Sequence, residues 1–280
     1  MKEEYKSLFN ESKNTEDAMK RLISIVKILR KECPWDRVQT HESLEKCMLE
    51  ESYEAVDAIR NRNFENLKEE LGDVLLQVIM HSEIASESQN FDIKDVINDE
   101  CDKMIRRHPH IFAEENLKTV DKVLEKWENV KDAEHGICSY TDRLLSVPDA
   151  LPALMKSEKV QKRASEAGFD WEDINYPIEK VKEEISEFIE AYESGNQEKI
   201  KDELGDILFA TVNVSRFANV DSEAALTGAT KKFIKRFAVV EDIVNATGKS
   251  MADFTIEELD SFWEEAKEVL SNKEEKDEQR

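Results

Sequence analysis

Two stretches of this 280-residue chain, 50–75 and 183–208, concentrate acidic side chains at helical spacing. In the first, Glu51 and Glu54 stand three residues apart, as do Glu70 and Asp73; in the second, the matching places hold Glu184 with Glu187 and Glu203 with Asp206. Residues three apart share a helix face, so each pair turns two carboxylates to one side. The interval from Glu54 to Glu70 equals that from Glu187 to Glu203, sixteen residues. That spacing suits two antiparallel helices joined by a short turn, with their acidic pairs at one level. Four carboxylates beside an apolar seam repel one another and lose hydration, a cost that protons or a cation must offset. Oxygen donors with no histidine or cysteine among them suit Mg2+, with Mn2+ as the second choice, and Mg2+ keeps positions open for water and phosphate oxygens. A di-iron carboxylate centre would need Glu-x-x-His on its helices. None of His41, His81, His108, His110 or His135 has a glutamate three residues before it.

The elements that must hold these acids read as helices throughout. Seven glycines and five prolines punctuate the chain, and stretches such as "AMKRLISIVKILRK" keep a three-to-four-residue apolar rhythm. A shift of 133 lays residues 50–75 on 183–208 with twelve of twenty-six pairs identical, enough to mark a duplicated unit. All four acids keep their places while Ser52 becomes Ile185 and Ala55 becomes Phe188. In each unit a polar turn, "NRNFEN" or "ESGNQE", joins two helices as antiparallel neighbours. One hairpin cannot bury its apolar face, so a second is needed to complete a four-helix bundle, supplied by the other half or by another copy of the chain. A homodimer is the expected state. The glycine before each aspartate, Gly72 and Gly205, weakens its helix by about 1 kcal/mol relative to alanine and is expected to let a neighbouring helix or a ligand come close. The expected fold is all-α, a tandem of helical repeats building four-helix-bundle domains. Its parts are residues 1–137, a linker at 138–153 that follows Gly136 and holds Pro148 and Pro152, a second domain at 154–270, and a disordered tail at 271–280.

Composition narrows the partners. Forty basic against 63 acidic residues leave a net charge of −23, which disfavours stable binding to nucleic acid or an anionic membrane. Cys33, Cys47, Cys101 and Cys138 form no C-x-x-C pair and read as reduced, partly buried thiols, and the N-terminal residues lack the build of a signal peptide. A cytoplasmic location is expected. "TGKS" at 247–250 imitates the end of a phosphate loop, but Ile243 stands where the first glycine is required. Gly248 reads as a helix C-cap instead.

At "CPWD", "EESYE" followed by "ELGD", "RRHPHIF", "LPALM", "VQKRASEAGFDW" and "EEISE" followed by "ELGDILFATVN", the chain resembles the tandem two-domain form of the MazG nucleoside triphosphate pyrophosphohydrolases. The resemblance implies an all-α NTP pyrophosphatase fold, a magnesium-dependent homodimer, and hydrolysis of NTPs or dNTPs between the α and β phosphates to NMP or dNMP and pyrophosphate. It suggests removal of unwanted nucleotides from the pool. Carried over by motif, Glu184, Glu187, Glu203 and Asp206 become metal ligands, with Glu51, Glu54, Glu70 and Asp73 as their counterparts. Lys180, Lys199, Lys232, Arg236 and Trp263 become substrate contacts. Glu187 and Glu183 are the catalytic candidates, Glu183 as one spare acid that could orient or deprotonate water. Under the 133 shift Lys180 falls on Cys47 and Lys199 on Asn66, so the second half is expected to do most of the work. Lys103 and Arg107 echo Lys232 and Arg236, which keeps a nucleotide site in the first half open.

Two other readings compete. One is a non-enzymatic acidic helical adaptor that binds metal or a basic partner; it accounts for the charge but not for a cationic helix face after each acidic hairpin. The other is a narrow dUTP- or phosphoribosyl-ATP-type hydrolase of the same helical class.

Overall fold

The computed structural model of the chain describes residues 2–113, 119–134 and 136–278; His135 lies outside the described residues. Helices α1 (Thr15–Glu32), α2 (His41–Arg60), α3 (Phe64–Glu87), α4 (Ile93–Arg107), α5 (Pro109–Phe112) and α6 (Val120–Glu134) are followed by α7 (Tyr140–Leu145), α8 (Ala153–Glu166), α9 (Asn175–Ser194), α10 (Gln197–Phe217), α11 (Ser222–Ala246) and α12 (Ile256–Glu278). No strand occurs among the described residues, and the all-α expectation holds. Two compact units divide between Lys131 and Asp132, inside α6. The segment 138–153, expected as linker, contains α7, which packs on α8. The tail expected to be disordered continues α12 as far as Glu278.

In the first unit α2 and α3 form the acidic hairpin, with α1 and α4 packed against α3. Thr40 and Ser43 cap α2 reciprocally, and Asn63 accepts from the Asn66 amide to start α3, so each helix begins on a residue suited to its orphan amides. The core joins Val26 of α1, Leu44 of α2 and Ile79, Met80 and Ile84 of α3. Buried Arg30 closes this end of the unit. Its guanidinium takes Glu87 through Nε and Nη2, at 2.9 and 2.6 Å, and donates from Nη1 to the carbonyls of Asp36 and Gln39. One side chain thereby fixes the loop after "CPW" and ties α1 to α3. Nearby, His41 and His81 stack with ring centroids 5.1 Å apart and Nδ1 atoms 2.8 Å apart. Burial and the facing His41 push the His81 pKa below its ordinary value.

In the second unit α9 and α10 make the matching hairpin, α8 packs on α10 and α11, and α11 pairs with α12 around Val240, Val244 and Ala266. Gln161 reaches from α8 to the Phe209 carbonyl at 2.8 Å, and Arg163 donates to Ser146 Oγ at 2.7 Å, anchoring α7. The two hairpin turns differ at the residue that takes the left-handed backbone. The second turn uses Gly195 at φ +68°, where a glycine costs least; the first places Arg62 at φ +53°. Gly248, at φ +73°, follows the end of α11, as its reading as a cap requires.

Four features depart from the sequence reading or extend it. Cys101 and Cys138 are exposed rather than partly buried. Among the described residues of its own unit, no atom comes within 4 Å of the place a Cβ would take at Gly72 or Gly205, so none of them uses the space those glycines leave. Apolar side chains at helical spacing stay exposed on the hairpins, Leu49, Tyr53 and Val56 on α2 and Ile185, Ile189 and Tyr192 on α9. No helix among the described residues is long and apolar enough to cross a membrane.

Arg30→Ala removes the shared donor of two carbonyls and a carboxylate. Chemical denaturation should show the first unit losing about 2–4 kcal/mol, with Arg30→Lys recovering only part because lysine lacks the planar fork.

Candidate active site

The i, i+3 spacing of the acids does what geometry demands of it. On the α9–α10 hairpin, oxygens of Glu184, Glu187 and Glu203 lie within 4.8 Å of one another; on α2–α3, those of Glu51, Glu70 and Asp73 do the same. The fourth acid of each set borders its group. The charge of Asp206 acts on Glu203, and that of Glu54 on Glu51 and Glu70. The groups are sunk at one edge, with Glu184 only 5% and Glu70 only 7% exposed.

Their environment raises the energy of the charged forms. Burial first, then the charges of Glu187 and Asp206, lifts the Glu203 pKa; burial with Glu54 and Asp73 lifts Glu70; burial with Asp73 and Glu54 lifts Glu51. A crowded set of oxygen donors of this kind fits a hard divalent cation.

The cationic residues named from the sequence fall into two groups. Lys180, one turn before the acids on α9, places Nζ 2.8 Å from Glu184 Oε1 and 2.9 Å from Glu183 Oε1. These bonds hold the Lys180 pKa well above the ordinary lysine value. Lys199 lies exposed in the first turn of α10, where its backbone amide is capped by Asn196. On the α11–α12 pair, Arg236 stacks over the Trp263 ring at 5.9 Å, with Phe233 5.0 Å from the same ring, and Lys232 is exposed one turn earlier. Trp263 also packs against the Val240–Ala266 cluster, so core packing and support of the arginine are both met by one indole. The first unit repeats this pairing, with Arg107 over Trp127 at 5.5 Å and Lys103 paired with Glu100.

The sequence reading missed a polar cavity of 320 Å³ at the turn end of the first hairpin. It is lined by Glu54, Asp57, Asn61, Asn63, Asn66 and Glu70, with Ala58. Three asparagines crowded into the turn were its only trace in the sequence, and turns favour asparagine for backbone reasons alone.

The model of the MazG nucleotide pyrophosphohydrolase domain matches residues 39–112 and 175–240, which enclose the two acidic hairpins. The chain is 43% identical over 248 residues to the nucleoside triphosphate pyrophosphohydrolase/pyrophosphatase MazG of Thermotoga maritima, covering 88% of this chain and 94% of that one. It is 40% identical over 254 residues to the nucleoside triphosphate pyrophosphohydrolase of Escherichia coli K12, covering 88% and 96%. An uncharacterized protein of Bacillus subtilis, YabN, is 46% identical over 249 residues that make up 51% of its length.

A carboxyl whose pKa is raised by folding adds stability below its unfolded value, ordinarily about 4.5, and that contribution is lost as pH rises through the folded value. Glu203→Gln should therefore raise the melting temperature of the chelator-treated chain at pH 7, with the gain shrinking toward pH 4. Saturating Mg2+ should stabilise the wild-type chain more than this variant, as read by circular dichroism melts.

Proposed function

Because the chain belongs to the MazG nucleotide pyrophosphohydrolase family, we propose that its second acidic hairpin hydrolyses the α–β phosphoanhydride bond of nucleoside triphosphates. The chain is a nucleoside triphosphate pyrophosphohydrolase, a hydrolase of phosphoanhydride bonds. The convergence of Glu184, Glu187 and Glu203 within 4.8 Å, beside a lysine on the same helix, carries the assignment of the reaction to that hairpin.

Glu184, Glu187, Glu203 and Asp206 would hold Mg2+, for which Mn2+ is a chemical substitute. When bound, the cation supplies charge neutralisation and polarises the phosphoryl oxygens. The rest is done by side chains. Lys180 and Lys199 face the phosphates from the hairpin, and Lys232 and Arg236 from one face of α11. Cations held in place at phosphorus stabilise the charge that grows on the departing pyrophosphate. Trp263 orients Arg236 through its ring and offers its remaining surface to the base. Glu183 is bonded to Lys180 in the resting site, so it serves as proton acceptor for water only after that lysine turns to the phosphates.

The first hairpin, with its own acids and its Arg107–Trp127 stack, binds metal through Glu51, Glu54, Glu70 and Asp73. Cys47 and Asn66 stand in place of the hairpin lysines, and this thinner phosphate grip gives the second unit the main catalytic share. A second copy of the chain covers the exposed faces of α2 and α9, making a homodimer.

Glu187→Ala should lower Mg2+-dependent pyrophosphate release by roughly a hundredfold or more with unchanged helicity, and Glu54→Ala should retain most of the activity. Equal losses in the two variants would overturn the division of labour. A panel of NTPs and dNTPs that includes dUTP and phosphoribosyl-ATP separates a broad hydrolase from the narrow ones; no release from any of them would favour the adaptor. Gly205→Ala gains helix propensity, so it should raise the melting temperature of dilute chain. It should nevertheless lower turnover if ligand or partner fills the space beside Asp206, and full activity would show that space to be idle.

A further inference from the structure

The two hairpins carry the same acids but leave them in different electrostatic states. In the second, Lys180 bonds the most buried of the clustered acids, Glu184, at 2.8 Å, and Glu183 at 2.9 Å. Its ammonium already sits on a carboxylate that a divalent ion needs. The lysine side chain is 38% exposed and flexible along four carbons, so it can move within one helical turn without disturbing α9. In the first hairpin the residue four before Glu51 is Cys47, which packs toward the Val26–Ile79 core. The lysine beside it, Lys46, pairs with Glu50 at 3.2 Å instead. Among the described residues no lysine or arginine pairs with Glu51, Glu70 or Asp73.

We propose that Lys180 is the resident counter-ion of the second site, displaced only when cation and triphosphate arrive together. The inference rests on the hydrolase reading of that hairpin. A free divalent ion must evict the ammonium from Glu184 and leave it only the more exposed Glu183 as an anionic partner, so binding of the ion alone is weak. A triphosphate supplies the missing anion. The freed lysine turns from carboxylate to phosphate, and metal and nucleotide then each strengthen the other's binding by the same factor. The second site therefore selects the metal–nucleotide complex over the free ion, and the first site, lacking this residue, takes the free ion without competition.

The test measures Mn2+ binding to the full chain by calorimetry and electron paramagnetic resonance, without turnover. Glu51→Gln with Asp73→Asn silences the first site so that only the second reports. In that background Lys180→Gln should bind Mn2+ alone about tenfold more tightly than the parent, and Lys180→Arg, which keeps the charge, should resemble the parent. A non-hydrolysable triphosphate analogue should tighten Mn2+ binding in the parent about tenfold and far less in Lys180→Gln. With the second site silenced by Glu184→Gln and Glu203→Gln, Cys47→Lys should weaken Mn2+ binding at the first. Equal or weaker Mn2+ binding by Lys180→Gln overturns the counter-ion role while leaving the hydrolase reading intact. Absence of pyrophosphate release from the wild-type chain overturns the hydrolase reading, whatever Mn2+ does.

Discussion

Like charges held close by a helix hairpin are the constraint on which this structure turns. Nothing in helix geometry lets residues three apart on one face drift away from each other, and a turn of two or three residues brings the second helix's acids to the same level. The folded chain therefore concentrates negative charge against its own electrostatic preference, and the buried members, Glu70 and Glu184, cannot recover full hydration. A fold that tolerates this twice has kept a place for a cation. The same crowding explains why cationic side chains recur around the hairpins and why acid substitutions act on stability as well as on chemistry.

Duplication makes the divergence between the units informative. The acids, the Arg–Trp stack and the capped hairpin recur, which shows that the shared frame is a helix pair followed by a cationic helix. What changed are the small parts around it: cysteine for lysine before the acids, asparagine for lysine at the start of the second hairpin helix, and arginine for glycine in the turn region. The first two changes each remove one positive charge and the third adds one, without altering the fold. The frame resists change because its acids are set by helical period, whereas exposed cations can be exchanged at little cost in packing.

Much of this was legible in the chain itself. The recurrence of Glu51, Glu54, Glu70 and Asp73 at Glu184, Glu187, Glu203 and Asp206 predicts both the hairpins and the meeting of the acids, because period and turn length leave few alternatives. Other features were hidden for physical reasons. Helix α7 lies in a segment rich in helix breakers and is held by Arg163 and Ser146, a tertiary bond that no local pattern records. The open space at Gly72 and Gly205 depends on where the other described residues of each unit lie. The asparagine-lined cavity looks like ordinary turn chemistry until the acids are seen at its wall. Trp263 read as either packing or contact, and one ring takes part in a core and carries an arginine at the same time.

The stacked imidazoles of His41 and His81 belong to the first unit alone. A buried imidazole whose proton affinity is depressed favours the folded state above its ordinary value and withdraws that support as the solution becomes more acidic than about pH 6.5. The second unit has no histidine among its described residues. Mild acidification thus withdraws support at the imidazole stack of the first unit even as it relieves the crowded carboxylates of both hairpins.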